Sequence, residues 1–541
     1  MNPRIPYRGP GATRRNGCGT SLFGVLLALV LLGGLAALAL RIRATGYDIV
    51  TAIGSFLPTT APSKLPTAVP VPSPSPIATL ATAEPFELTP TATATLAPPT
   101  PTPTKILTPG IAQFYYTQSG DTLAALAARF GVNPADLRPP EPLRGSTSLE
   151  KGQLIIIPQV LGDNLSPGYR IVPDSELIFS GGAAGFDPAP MAAKYGGYLA
   201  QYQGFAENIT RPGGDVILLT AQNHSINPRL LTALLEYQSG WVTNPHPQGD
   251  ALTYPLGYVH EYRHELMPQL DWATAQLAVG YYGWRAGTLT SLTFPDGSTL
   301  RLNPTLNAGT VAVQYFFAQV LNRPAWDEAV SADGFAATYN ELFGDPFTHA
   351  VDPLVPSDLA QPLLALPFAS GHTWSFTGGP HGAWEHGGAR AAVDFAPSST
   401  VSGCVESLEW VTAVAAGKIV RTGQGTVLLD LDGDGRESTG WVILYLHIAG
   451  QDKVRAGTYV EKGDRIGHPS CEGGTATGTH VHIARKYNGE WIPADGLVPL
   501  TLGGWTALPG PAEYAGTLVR GDQVITACAC SAAYTLITAE P

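Results

Sequence analysis

Charge is scarce in this chain. Only 14% of its 541 residues are Asp, Glu, Lys or Arg, against about 25% in ordinary soluble domains. Bases are the scarcer kind, 31 against 43 acids, for a net charge of −12. The six Arg among the first 43 residues leave −18 for everything after them. A strongly basic nucleic-acid binder is thereby excluded, and no nucleic-acid partner is expected. Turn formers are abundant instead: 61 Gly and 48 Pro make up a fifth of the chain, so much of it is turn, loop or linker. The 44% of hydrophobic residues suffices for real cores and excludes wholesale disorder. The length suggests three or four domains.

Arg4, Arg8, Arg14 and Arg15 precede an apolar run at residues 21–40. About 20 apolar residues span a bilayer, and flanking bases hold their side in the cytoplasm. Residues 1–20 then read as a cytoplasmic basic segment and 21–40 as a single-pass anchor that exports the rest. The alternative is secretion after signal cleavage, since Ala37-Leu38-Ala39 imitates a cleavage site. Of five cysteines, Cys404, Cys471, Cys528 and Cys530 fall in the exported part. Three pairings are open. Cys404–Cys471 is favoured, because bridging Cys528 to Cys530 would strain the chain; free thiols stay open as well.

Residues 57–110 hold 14 Pro and 13 Thr. This is a stalk biased to polyproline II. Residues 113–159 come next with YYTQSGDTLAALAARFGVNPADL and LEKGQLIIIP, a strand–helix–helix–strand order. These residues resemble a LysM domain, a βααβ fold, which implies binding to N-acetylglucosamine chains of peptidoglycan. Arg138-Pro139-Pro140 stands where the family has an Asn.

Residues 164–346 read as mostly helical. Ser225–Trp241 carries a cap, a Pro in the first turn and an apolar face. It resembles the first catalytic helix of lysozyme-like transglycosylases, but Gln238-Ser239-Gly240 replaces the catalytic Glu, so the domain reads as degenerate. Glu236 is the candidate acid if any glycosidase activity survives. His260-Glu261-Tyr262-Arg263-His264 matches the H-E-x-x-H zinc pattern. Its charged flanks and the nearby Pro268 make it a polar loop leading into a helix.

Residues 360–505 alternate short β runs with Gly, which indicates an antiparallel sheet. Thr479-His480-Val481-His482 sends two imidazoles to one face of a strand. His447 ends another strand, and GGPH (378–381) and VDFAP (393–397) frame a loop. Two or three His plus a carboxylate suit a catalytic zinc. Together with SCEGGTATGTHVHIA, these motifs resemble the lysostaphin-type (LAS) zinc endopeptidases, closest to the β-lytic branch. The resemblance implies His381, Asp394 and His482 as Zn²⁺ ligands and His447 and His480 as catalytic. His381 lies thirteen residues before Asp394, and His386, eight before it, is the alternative first ligand. Asp430-Leu-Asp-Gly-Asp434 opens like a calcium loop but lacks the closing Glu and reads as an acidic hairpin turn. Residues 506–541 read as a tail.

The expectation is thus a multidomain chain: transmembrane helix, LysM-like module, mostly α lysozyme-like domain and β-sheet metallopeptidase. Its expected activity is zinc-dependent cleavage of peptidoglycan peptide cross-links, with peptide stems, glycan chains and the membrane as partners. The alternatives are a non-catalytic wall-binding scaffold that activates other hydrolases and a glycan-cleaving lysozyme-like enzyme.

Overall fold

The computed structural model describes residues 112–541 except 159, 160, 163, 385, 386, 400 and 541. The expected anchor at 21–40 and stalk at 57–110 lie outside the described residues. No described helix is long and apolar enough to cross a membrane.

β1 (Gln113–Tyr116) and β2 (Leu154–Ile157) pair antiparallel around α1 (Leu123–Phe130). Thr122 caps α1 by accepting from the Ala125 N–H, and Gly131 ends it in the left-handed conformation. Where a second helix was expected, Pro134–Asp136 makes one 3₁₀ turn only. Pro139 and Pro140 come soon after and carry no N–H for a helix to continue on. Tyr115, Leu126, Phe130, Ile155 and Ile157 form the small core. Arg129 fastens this module to the helical body. Buried, it pairs with Asp121 at 2.6 Å and donates to the Trp284 carbonyl at 2.8 Å.

That body is mostly helical, as expected. Its main helices are α2 (Gly213–His224), α3 (Pro228–Ser239), α4 (Leu266–Ala286) and α5 (Ala308–Val320). A hairpin, β3 (Gln203–Ala206) and β4 (Ile209–Pro212), stands beside them. Asn227 caps α3 just before Pro228. At Gly280 of α4, a Cβ would lie 2.7 Å from the Ala312 Cα, so glycine sets how closely α5 approaches.

Neither outlying motif of this body forms the arrangement its chemistry needs. Glu236 accepts from the Val242 and Thr243 N–H groups at 2.9 and 3.1 Å, closing the turn after α3. A carboxylate so engaged is no free general acid. Residues 260–264 lie in no helix and precede α4, so His260 and His264 do not share a helical face.

The C-terminal body is built on an antiparallel sheet. Its strands are β5 (Thr373–His381), β6 (Ala392–Pro397), β7 (Gly417–Thr422), β8 (Val427–Asp430), β9 (Trp441–Leu446), β10 (Tyr459–Val460), β11 (Val481–Tyr487) and β12 (Leu536–Thr538). Their order is β10-β7-β8-β9-β11-β6-β5-β12. Residues 506–541 are therefore no tail. Strands at 501–502, 505–509, 516–520 and 523–526 form a second sheet, and Ile537 pairs with Trp374 along the edge of the first. Few charges and short, Gly-spaced runs concealed this from the sequence.

Strand alternation divides the sheet's side chains between two cores. Val393, Phe395, Ile443, Tyr445, Val481 and Ile483 face one. Ala392, Leu428, Val442, Leu444, Leu446 and Ala484 face the other, which they share with the helical body. Lys486 continues that second row and is 1% exposed. It meets Glu437 at 3.2 Å, while Arg421 joins Glu437 at 2.9 Å and donates to Asn223 of α2 at 2.8 Å. Burial pulls the Lys486 ammonium below its ordinary pKa. Burial also opposes charge on Glu437, but Arg421 and Lys486 hold its carboxyl below the usual range.

Cys404–Cys471 is bridged as expected, with Cα atoms 5.8 Å apart. Cys528–Cys530 is bridged too, contrary to expectation. The chain folds back between them, and their 5.0 Å Cα separation falls within the range of about 4.4–6.8 Å that disulfides adopt.

Glu437→Gln strands a buried ammonium, so unfolding free energy should fall by about 3–5 kcal/mol in a denaturant titration. A loss under about 1 kcal/mol would mean that the pair contributes nothing net.

Candidate metal centre and catalytic site

β5, β6 and β11 lie side by side, and register sets the site. His482 pairs with Asp394, which also stands opposite Gly378. Both side chains leave the sheet on the face that carries Ala392 and Ala484. The GGPH motif has steric causes. A Cβ on Gly378 would lie 2.3 Å from Asp394 Oδ2, and one on Gly379 2.6 Å from the Ala515 carbonyl. Only glycines leave room for the carboxylate and for the 510–515 loop.

His381 Nδ1–H donates to the Gly379 carbonyl at 2.8 Å, which turns the Nε2 lone pair inward. His482 Nε2–H donates to the Ala383 carbonyl at 2.9 Å, which turns Nδ1 inward. The two inward nitrogens stand 3.0 Å apart. Asp394 Oδ1 lies 3.4 Å from one and 3.3 Å from the other, buried and without a hydrogen-bond partner. With the ring protons committed outward, three electron-pair donors converge with no hydrogen between them. Such a set repels itself unless a cation lies among the donors. His₂Asp with an open side fits catalytic zinc chemistry. Burial opposes the charge of Asp394, but His381, whenever it carries a second proton, keeps the carboxyl well below its ordinary pKa. It is therefore an anion ready to ligate. His386 lies outside the described residues.

The other two imidazoles flank this set. His447 comes directly after β9 with φ +64°, a left-handed backbone unusual for a non-glycine residue. Its Nδ1–H donates to the Glu472 carbonyl at 2.9 Å. His480 Nδ1–H donates to the Gly478 carbonyl at 2.8 Å, and its Nε2 lies 3.7 Å from Asp394 Oδ1. The two ring centres are 4.4 Å apart. Burial, then the neighbouring His480 and His482, push the His447 pKa down to about 3. It is neutral at pH 7.

All five sequence-selected residues therefore meet in one place. The structure adds Tyr514, whose ring stacks on His381 at 4.1 Å and 21°. Its φ of +65° and the Gly379 N–H bond to its carbonyl (2.8 Å) fix the loop that presents it. No motif surrounds it, and the signal lies only in the fold. The Asp430–Asp434 segment is a hairpin turn between β8 and β9. Asp430 accepts from the Asp432, Gly433 and Gly435 N–H groups.

Gly378→Ala should push Asp394 aside and weaken metal binding at least about tenfold while the fold survives, read by competition with a chromogenic chelator; unchanged affinity would contradict the packing argument. NMR titration should show the His447 ring neutral from pH 8 to 5, because its pKa is depressed; a midpoint near its ordinary value of about 6.5 would contradict that.

Residues 403–493 match the family model "Peptidase family M23", and residues 170–356 match "LasA, N-terminal domain". The second match covers the stretch read above as lysozyme-like. The first holds His447, His480 and His482, with His381 and Asp394 upstream of it. Protease LasA of Pseudomonas aeruginosa (strain UCBPP-PA14) is 26% identical over 295 residues, 50% of this chain and 66% of that protein. The chain thus spans just under two thirds of that relative's length. Among solved structures, the deep-sea M23 metalloprotease pseudoalterin aligns at 22% identity and TM-score 0.27, over 31% of this chain and 96% of its own. The catalytic domain of lysostaphin from Staphylococcus simulans aligns at 26% identity and TM-score 0.17, over 23% and 89%. A stretch similar to M23 peptidases thus follows one similar to the LasA N-terminal domain, and the His381–Asp394–His482 set suits Zn²⁺ as the metal.

Proposed function

We propose that the protein is an exported zinc endopeptidase that cleaves peptide cross-links of bacterial peptidoglycan. The observation that carries the reading is the convergence of His381 Nε2, Asp394 Oδ1 and His482 Nδ1 beside two further imidazoles. Export is read from the basic-then-apolar N-terminus.

His381, Asp394 and His482 would hold the metal, which when bound acts as a Lewis acid and lowers the pKa of a bound water. His447 has its Nδ1–H held by the Glu472 carbonyl, which leaves Nε2 as the lone pair that would accept the proton of the attacking water. His480 stands across from it, positioned to stabilise the oxyanion when protonated, and one of the two returns a proton to the leaving amine. Backbone carbonyls hold both Nδ1–H groups, so neither ring must reorient between steps. Tyr514 covers the outer face of His381 and keeps its plane. The 113–159 module, rigidly joined through Arg129, would hold the enzyme on glycan chains. A scaffold without catalysis has no use for this ligand set, and a glycan-cleaving role is disfavoured by the engagement of Glu236.

His447→Ala and His480→Ala should each keep one zinc per chain yet lose about 10²–10⁴-fold in kcat on peptidoglycan fragments. Asp394→Asn and His482→Ala should lose zinc and activity together. Activity surviving in either pair would overturn the assignment of roles.

A further inference from the structure

The floor beside the catalytic pair opens into two adjoining cavities. One, of 690 Å³, runs from His480 over Ser375 and Thr377 of β5 to the 401–409 segment and the Cys530 loop. The other, of 330 Å³, lies against the 404–408 segment and reaches Glu472, whose carbonyl holds His447. The Cys404–Cys471 bridge ties the wall between them to the CEGG loop. One end of this double cleft is therefore the reacting centre, and its walls are the parts of the domain that meet a bound chain.

The charge of the walls has one sign. Glu406 lines both cavities, Glu409 the first, and Asp452 and Glu472 the second. No Lys or Arg lines either cavity among the described residues. Lys453 interacts with Glu472 but lines neither cavity, and its ammonium donates to the Gly423 carbonyl at 2.5 Å. His372 meets Glu409 at 2.7 Å and His468 stands 3.9 Å from Asp452; both neutralise a carboxylate only when protonated. The remaining surface of the larger cavity is hydroxyl-rich, with Ser375, Thr377, Ser407 and Thr479 among its walls. Walls of this kind offer acceptors to ammonium and amide N–H groups and repel carboxylates.

We propose that this cleft selects peptide segments bearing an amine, a lysine-type side chain or a free N-terminus, beside the scissile bond, and discriminates against carboxylate-bearing ones. The proposal rests on the peptidase reading and specifies its substrate. Field focusing in a walled cleft acts on every amine-bearing segment that enters, whichever cross-link it comes from.

The test uses the full, zinc-loaded chain and three quenched-fluorescence peptides that share one scissile stretch patterned on a peptidoglycan cross-link and differ only in a flanking Lys, Gln or Glu. Affinity is measured by anisotropy on the His447→Ala variant, and kcat/KM on the unaltered chain. Affinity should fall in the order Lys, Gln, Glu, by about tenfold end to end, with the spread shrinking at about 0.5 M salt. In the Glu406→Gln/Glu409→Gln double variant the spread should collapse to about twofold, a loss of most of the field. Equal affinities for the three peptides, or the reverse order, would overturn the proposal. If the affinity order holds but none of the three is cleaved by the unaltered chain, the cleft assignment stands and the endopeptidase reading falls.

Discussion

Two imidazole nitrogens 3.0 Å apart, each with its proton turned outward, face each other and a buried carboxylate oxygen. In a low-dielectric interior three lone pairs so placed need a cation between them. Much of the C-terminal body can be derived from holding that arrangement. The Gly379 and Ala383 carbonyls set the two tautomers. Gly378 leaves space for the carboxylate, and Gly379 admits the loop that lays Tyr514 on His381. Antiparallel register supplies the rest, since one strand carries His482 and its neighbour Asp394 at paired positions.

The same sheet face continues from the ligands into apolar residues that the helical body covers. The loop between His381 and Asp394 joins in, because Trp384 packs against that body near His224 and Trp491. Trp384 thus ties the segment that follows His381 to the helical body. Arg421, itself paired with Glu437, donates a hydrogen bond to Asn223 across the joint. The helical body is a structural part of the catalytic face, and removing it would uncover a row of leucines and a buried lysine.

Legibility in the sequence tracked locality. The His-Val-His alternation, the strand ending at His447 and the glycine pair before His381 each express a short-range rule, and their four imidazoles meet beside Asp394. The helical character of 164–346 was also local, from the Asn227 cap and Pro228 onward. What the sequence hid depends on distant partners. Tyr514 touches His381 only because a loop 133 residues later in the chain folds back onto Gly379. The strand at Leu536–Thr538 is short and becomes visible only through its pairing with β5. The resemblance to a lysozyme helix rested on one cap and one apolar face, features that any buried helix shares; there Glu236 closes a turn.

The central claim is that this chain hydrolyses peptide bonds of the wall by means of the His381–Asp394–His482 metal. The most direct measurement incubates the purified chain with peptidoglycan, with and without a zinc chelator, and counts new amino groups. The account predicts that amines appear, that the chelator abolishes them, and that added zinc restores them. Amine release indifferent to the chelator, or none across several cross-link types, would contradict it.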